Sequence, residues 1–364
     1  MPLKLLTTEY NGPELAAKLR ENWLSGFATD KSERVLCASL EIIRWLASLL
    51  AESGLPLPNC SPSDIPLHLV LADIPDLQAA DDKAKLMIRN AIRDSIHVLD
   101  YDQDLFCTLE GDYMIHKFWS LPNNLIYNSM EWRAVDDIVF PRYGYIHQIA
   151  KKGLFHGIKD PEDLARTVEE RLNAHEENGG TTHHIQNPPT FIRFEWKRDE
   201  NRGALCPGDF SMFDVEIRDA YVEDKLLTHS IVRASYRLVC IAKRWNKDEK
   251  PIAAHFYMSD GRSFFPQDDG ELSQYWSCDN SGEYYLVYQK SDETRDSRPR
   301  SPDLSHRIQH PKSISGGEDE ASNDSDDPSH QDTSRSSSPS LQLATRPKAQ
   351  TRISLRHHPY RYSL

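Results

Sequence analysis

Apolar positions recur at helical spacing in the first half of the chain and at strand spacing in the second. Between Asp30 and Gly54, the residues Val35, Leu36, Ile42, Ile43, Trp45, Leu46, Leu49 and Leu50 predict an amphipathic helix closed by Gly54. A shorter helix is expected before it, in NGPELAAKLRENWLSGF (11–27). Pro56, Pro58, Pro62 and Pro66 push their preceding residues out of the helical region, so an extended linker should follow. A helix restarts after Asp81, with Leu86, Ile88, Ile92 and Ile96 on its buried side. The last expected helix is DPEDLARTVEERLNAHEENGG (160–180), with Asp160 as N-cap, Pro161 in the first turn and Gly179 at its end.

Beyond this point the segments are short, aromatic and β-branched, with turn residues between them. TFIRFEW (190–196), FDVEIRDAYV (213–222), SYRLVCIAKRW (235–245), AAHFYMS (253–259) and EYYLVYQK (283–290) read as strands. The predicted class is α+β. A globular region spans 1–290, helix-rich over 1–180 and an antiparallel sheet over 185–290. From Ser291 to Leu364 there is no Val, Phe, Trp or Cys, and Ser, Asp, Arg and Pro dominate. Such a segment cannot bury enough apolar surface to offset its ordering entropy, so 291–364 is expected to be a disordered tail. Within it GGEDEASNDSDD (316–327) is acidic and RPKAQTRISLRHHPYRYSL (346–364) is basic, and Ser301-Pro302 and Ser338-Pro339 invite proline-directed phosphorylation.

The formal net charge of −13 argues against a broad phosphate-binding face. No zinc-finger spacing, basic zipper or recognition helix accompanies it, so direct sequence-specific DNA binding is not expected. No apolar run is long enough for a membrane span, and MPLKLLTTEYNG turns polar too soon for a signal peptide. A cytoplasmic protein is therefore expected, with a nuclear location left open by the basic end of the tail. The six cysteines (37, 60, 107, 206, 240, 278) form no CxxC pair and read as small buried apolar residues.

The chain contains neither a P-loop nor a GxGxxG turn. His183 and His184, even with His175 and the distant Cys206, do not make a zinc spacing. No cofactor and no metal are expected. One nucleophilic constellation can be assembled from Cys37 in the long helix, His255 in AAHFYMSDG and Asp260 just after it. In it the imidazole would hold a thiolate and the acid would orient the base. YRLVCIAKRWNKDEKPIAAHFYMSDGRSFF with EYYLVYQK is similar to the histidine box and closing strand of ubiquitin-specific proteases, and PPTFIRFEW resembles a strand of that family. The pattern departs from the family at Ala254, where a Gly precedes the His, and at Cys37, which has no Asn-x-Cys box. The resemblance implies a protease-like fold, either degenerate or acting as a Cys/His hydrolase.

The densest aromatic region of the helical half is 112–157, and within it WRAVDDIVFPRYGYIH (132–147) reads as a packed corner. Trp132 and Phe140 are expected to be buried, Arg142 and Tyr143 to stand exposed at the tip, and Gly144 to supply a positive φ. The block resembles the signature of the filamentous-ascomycete mating-type family named for a His-Pro-Gly or Pro-Pro-Phe pattern, which lacks both the alpha box and the HMG box. Pro141 and Gly144 match its Pro and Gly, with Phe140 where the His would stand; His116 or His147 could supply that His, and Pro122 the other Pro. The resemblance implies a non-catalytic regulator of sexual development after fertilisation, including ascospore formation. It would work through other mating-type or developmental regulatory proteins, using Trp119, Pro122, Trp132, Phe140, Pro141, Arg142, Tyr143 and Gly144 as binding residues.

Overall fold

The computed structural model describes residues 3–61, 63–99, 104–135, 138–173, 175–177, 179–198, 210–223, 226–244, 254–258, 260–264 and 282–291. All of them belong to one compact unit. The expected tail beyond Ser291, Asp136 and Asp137, Pro62, Cys206 and Cys278 lie outside the described residues.

The class is α+β, as the periodicity predicts. The helices are α1 (Gly12–Glu21), α2 (Lys31–Glu52), α3 (Ile65–Leu71), α4 (Asp82–Val98), α5 (Leu105–Leu109), α6 (Asp112–Met114), α7 (Ile146–Lys152) and α8 (Asp163–Leu172). A single π-helical turn, Ile115–Trp119, continues α6. The strands are β1 (Tyr127–Val135), β2 (Ile138–Tyr143), β3 (Leu154–Ile158), β4 (His175–Glu177), β5 (Gly180–Gln186), β6 (Phe191–Arg198), β7 (Met212–Glu223), β8 (Leu226–Lys243), β9 (Ala254–Tyr257), β10 (Ser263–Phe264) and β11 (Gly282–Ser291). They form a four-stranded sheet, β2-β1-β5-β4, and a seven-stranded sheet, β10-β9-β8-β11-β6-β3, in which β7 also pairs with β8.

Helix α2 is the centre of the helical half. Asp30 caps it by accepting from the Glu33 N–H at 2.9 Å, and Thr29 donates its N–H and hydroxyl to Glu33 at 2.7 Å each. The expected apolar face is buried, but so are Glu41, Arg44 and Ser48, because neighbours enclose α2 on all sides. Arg44 donates to the carbonyls of Leu19, Val70 and Ala72 at 2.7–2.9 Å, tying α1 and α3 to α2. Burial lowers its pKa to about 10, so it stays charged at neutral pH. Trp45 donates its indole N–H to the Val239 carbonyl at 3.0 Å, docking α2 on β8.

Several expectations are corrected. Leu86 is 57% exposed, because it lies about 200° around α4 from the fully buried Ile88. Pro66 stands in the first turn of α3 rather than in a linker. The helix predicted over 160–180 stops at Leu172, its N-cap is Glu162, and Gly179 (φ +73°) instead turns the β4–β5 hairpin. The large sheet is not purely antiparallel, since β3 runs parallel to β6. Strands also invade the helical half: the expected corner is a hairpin of β1 and β2. Cys37 and Cys240 are buried as expected, whereas Cys60 is only half-buried and Cys107 is exposed.

Candidate functional site

The β1–β2 hairpin carries the residues that the sequence singles out. Its pairs run from Met130–Tyr143 to Val135–Ile138, with Trp132 opposite Pro141 and Arg133 opposite Phe140. Gly144 N–H donates to the Ser129 carbonyl at 2.7 Å. Hydrogen-bonded pairs alternate in an antiparallel ladder, so Pro141 falls at a position whose backbone faces the free edge. There its missing N–H disrupts no bond to β1. β2 is an edge strand of its sheet, and a Pro in the middle of an edge discourages another strand from adding to it.

Burial divides the hairpin differently from the sequence expectation. Phe140 is 41% exposed and Val139 is the enclosed residue, at 1%. Neighbouring strand residues point to opposite faces, so shifting the buried position by one residue turns Phe140 outward. Trp132 is half-buried, and its indole N–H meets no acceptor among the described residues. Arg142 and Tyr143 are exposed as expected, Tyr143 at 66%; Arg142 lies 3.5 Å from Glu131. Gly144 does not have a positive φ, and an added Cβ would make an ordinary contact 3.5 Å from Ile149. Tyr145 (72%) and Ile146 (45%) extend the exposed apolar run into α7.

The other two motif residues are placed elsewhere. Trp119 is buried, donates its N–H to the Leu109 carbonyl at 2.8 Å and packs 4.0 Å beneath the Arg193 guanidinium. Pro122 opens a short 3-10 turn, and its carbonyl accepts from the Asn187 amide at 2.9 Å. Trp119 therefore lies beneath the surface, whereas Pro122 is exposed on it, outside the hairpin. His116 and His147 do come together, with ring centroids 3.6 Å apart, and His147 Nδ1 is hydrogen-bonded to the Ser120 hydroxyl at 3.2 Å.

The Cys-His-Asp constellation has a different geometry from the one the chemistry needs. Cys37 is fully buried within α2, and burial together with Glu41, Glu33 and Asp30 raises its thiol pKa well above the usual range. Phe256 packs on Trp23 and Trp45, at 5.1 and 5.3 Å between ring centroids, and so marks the α2 side of β9. His255, its neighbour, points to the opposite side of the sheet. Burial lowers the His255 pKa to about 4. Asp260 is exposed and pairs with Arg262 at 2.6 Å.

Two features had no counterpart in the sequence reading. A buried network joins both halves of the fold: Glu110 accepts from Arg193 at 2.6 Å and from the Tyr285 hydroxyl, and Arg193 also donates to the Ala150 carbonyl at 2.5 Å. Burial raises the pKa of Glu110, against the pull of Arg193. Its sequence signal was Arg193 itself, a lone cation between apolar residues in TFIRFEW. The second feature is a cavity of about 620 Å³ between β5, β7, β8 and α8, where His183, His184, His229, Arg218, Glu169 and Glu216 contribute to the lining. The lining contains no hydroxyl, thiol or amine nucleophile. Burial, then Arg218, lowers the His229 pKa, and Glu169 is engaged by the Glu216 N–H at 2.8 Å. Among the described residues, no group of three or more His, Cys, Asp or Glu is placed to hold a metal ion, and no helix is long and apolar enough to cross a membrane.

No protein-family model matches the chain, and no curated protein matches it either.

Proposed function

We propose that the protein is a non-catalytic regulator that contacts a protein partner through the β1–β2 hairpin and the start of α7. Its role would be in fungal sexual development after fertilisation, as the mating-type resemblance of residues 112–157 implies. The observation that carries the reading is the run of exposed large apolar residues, Ile138, Phe140, Tyr143, Tyr145 and Ile146, within nine positions, a denser group than the exposed Leu86, Val98, Tyr221, Leu226 and Ile231 elsewhere among the described residues. Exposed aromatics beside an Arg are typical interface anchors. The enclosed, protonated Cys37 also favours a role without cysteine chemistry. The partners would be other mating-type or developmental regulatory proteins, met in the cytoplasm or, through the basic end of the tail, in the nucleus. Deleting the gene and scoring a cross for ascospores tests the reading: barren crosses are expected, and full fertility would remove it.

A second reading, a degenerate relative of the ubiquitin-specific protease fold, has one observation in its favour. The segments that carry that likeness are neighbours in one sheet, in the order β9-β8-β11-β6. A ubiquitin probe with a C-terminal electrophile would label Cys37 if an active hydrolase were correct; under the proposed function Cys37 stays unlabelled in the native protein.

A further inference from the structure

The exposed run has a charge of its own. Residues 138–159 include Arg142, Lys151, Lys152 and Lys159 and not one Asp or Glu, in a chain whose net charge is −13. Two of these cations already meet acids on their rim. Arg142 lies 3.5 Å from Glu131, and Lys151 reaches Asp112 at 2.7 Å, in a pair whose side chains are 57% and 79% exposed. The Lys151 pair, exposed on both sides, contributes little to stability and exchanges readily for another carboxylate, whereas Glu131 is only 12% exposed and Arg142 would take a second carboxylate on its exposed side. Because Pro141 removes a donor from the free edge, an added strand would find an interrupted ladder there. Recognition at this surface therefore falls to side chains.

Building on the proposed protein-binding role, we infer that the hairpin and α7 receive an acidic protein segment with apolar anchors. The segment straddles the free edge of β2, with anchors on Phe140 from one face and on Tyr143 from the other and on Tyr145 and Ile146 beyond the strand, and its acids pair with Arg142 and Lys151. Aromatics interleaved with cations also suit single-stranded nucleic acid. That ligand is disfavoured because a polyphosphate needs a long basic track, and the acidic body of this chain repels it at low salt. A short acidic segment presents fewer charges and can fit within the local patch. The chain's own acidic stretch, 316–327, has no large apolar residue to serve as an anchor, which points to a partner supplied by another molecule.

Fluorescence anisotropy of the full-length protein with labelled probes tests this. The probes are a peptide of alternating Glu/Asp and Leu/Trp, the same peptide with Lys replacing its acids, and an oligothymidine of similar length. The acidic peptide should bind at least about tenfold more tightly than the Lys peptide. Its affinity should fall as salt is raised from about 50 to about 200 mM. Tyr143→Ser with Tyr145→Ser should weaken it by about tenfold or more, and Arg142→Glu should do so with the aromatics intact. Equal binding of both peptides, tighter binding of the oligonucleotide, or unchanged binding by both variants would overturn the inference. So would a more than tenfold gain on changing the six acids of 316–327 to Asn or Gln in the full-length chain, because the surface would then be filled by its own tail. The outcome is separable from the cross. A fertile deletion strain with intact acidic-peptide binding removes the developmental role alone, and a barren strain without such binding removes the partner chemistry alone.

Discussion

The seam between helices and sheet and the β1–β2 hairpin both combine aromatics with an Arg–Glu pair, to opposite ends. At the seam, Arg193 and Glu110 are enclosed at 2.6 Å, and Trp119, Tyr285 and the Ala150 carbonyl satisfy what remains. Gly153 leaves room for this arrangement, since a Cβ there would come within 2.9 Å of the Arg193 guanidinium. In the hairpin, Arg142 and Glu131 are 3.5 Å apart; Glu131 is as enclosed as Glu110, and the difference lies in the Arg142 side chain, which is 46% exposed. The same residue types fix the fold where water is excluded and remain available to another molecule where it is not.

Breaking the seam should produce the largest effect. Arg193→Met leaves Glu110 buried without its cation and should cost about 3 to 5 kcal/mol in urea unfolding. A loss below about 1 kcal/mol would mean that the network contributes no more than a surface pair. The opposite face of the large sheet has a titratable reporter in His255. Its folded pKa is about 4, whereas the unfolded ring protonates near 6.5, so the unfolded state binds more protons between those values. Stability from this group is full above about pH 6.5 and is lost as pH falls towards about 4. His255→Asn should flatten that part of the pH–stability curve by up to about 3 kcal/mol. An unchanged slope would mean the ring is hydrated.

Glycines sharpen the contrast within one sheet. An added Cβ at Gly180 would lie 2.5 Å from Val135 Cγ2 and 2.7 Å from the Ala134 carbonyl oxygen. Gly180→Ala should therefore cost about 1 to 3 kcal/mol by forcing strands β1 and β5 apart. Gly144→Ala meets no such obstacle and should stay within about 0.5 kcal/mol of the parent.

These contrasts also explain what could be read from the chain. The long helix α2, the Asp81 start of α4 and strands β6 to β9 and β11 were legible because each carries its own period and end signals. Strands β1 to β5 were not. In β1 and β5 the buried positions Glu131, Arg133, Thr182, His184 and Gln186 are polar, so burial there follows from tertiary pairing alone, and β3, LFHGI, is too short to show a period. The hairpin was legible as a special region but not as a hairpin, and the side on which Phe140 lies depended on a one-residue register that composition does not encode. The Glu110–Arg193–Tyr285 network joins positions 175 residues apart at its extremes, a juxtaposition no local pattern announces.

Smaller effects are expected at the hairpin's exposed positions. Phe140→Ala and Tyr143→Ala should each change stability by less than about 1 kcal/mol, since little area is uncovered. Removing residues after Ser291 should leave the melting temperature unchanged, because no core-forming segment is lost. A fall of more than about 5 °C in any of these three would place that segment among the supports of the fold.

If the exposed residues around the free edge of β2 serve a partner and not the fold, function and abundance will separate when they are changed. The most direct measurement is a cross with a strain whose chain carries Phe140→Ser, Tyr143→Ser and Tyr145→Ser, with protein abundance measured in the same tissue. Wild-type abundance together with the loss of ascospores expected on deletion is the predicted result. Wild-type abundance with full fertility would show that these exposed residues serve no partner in development.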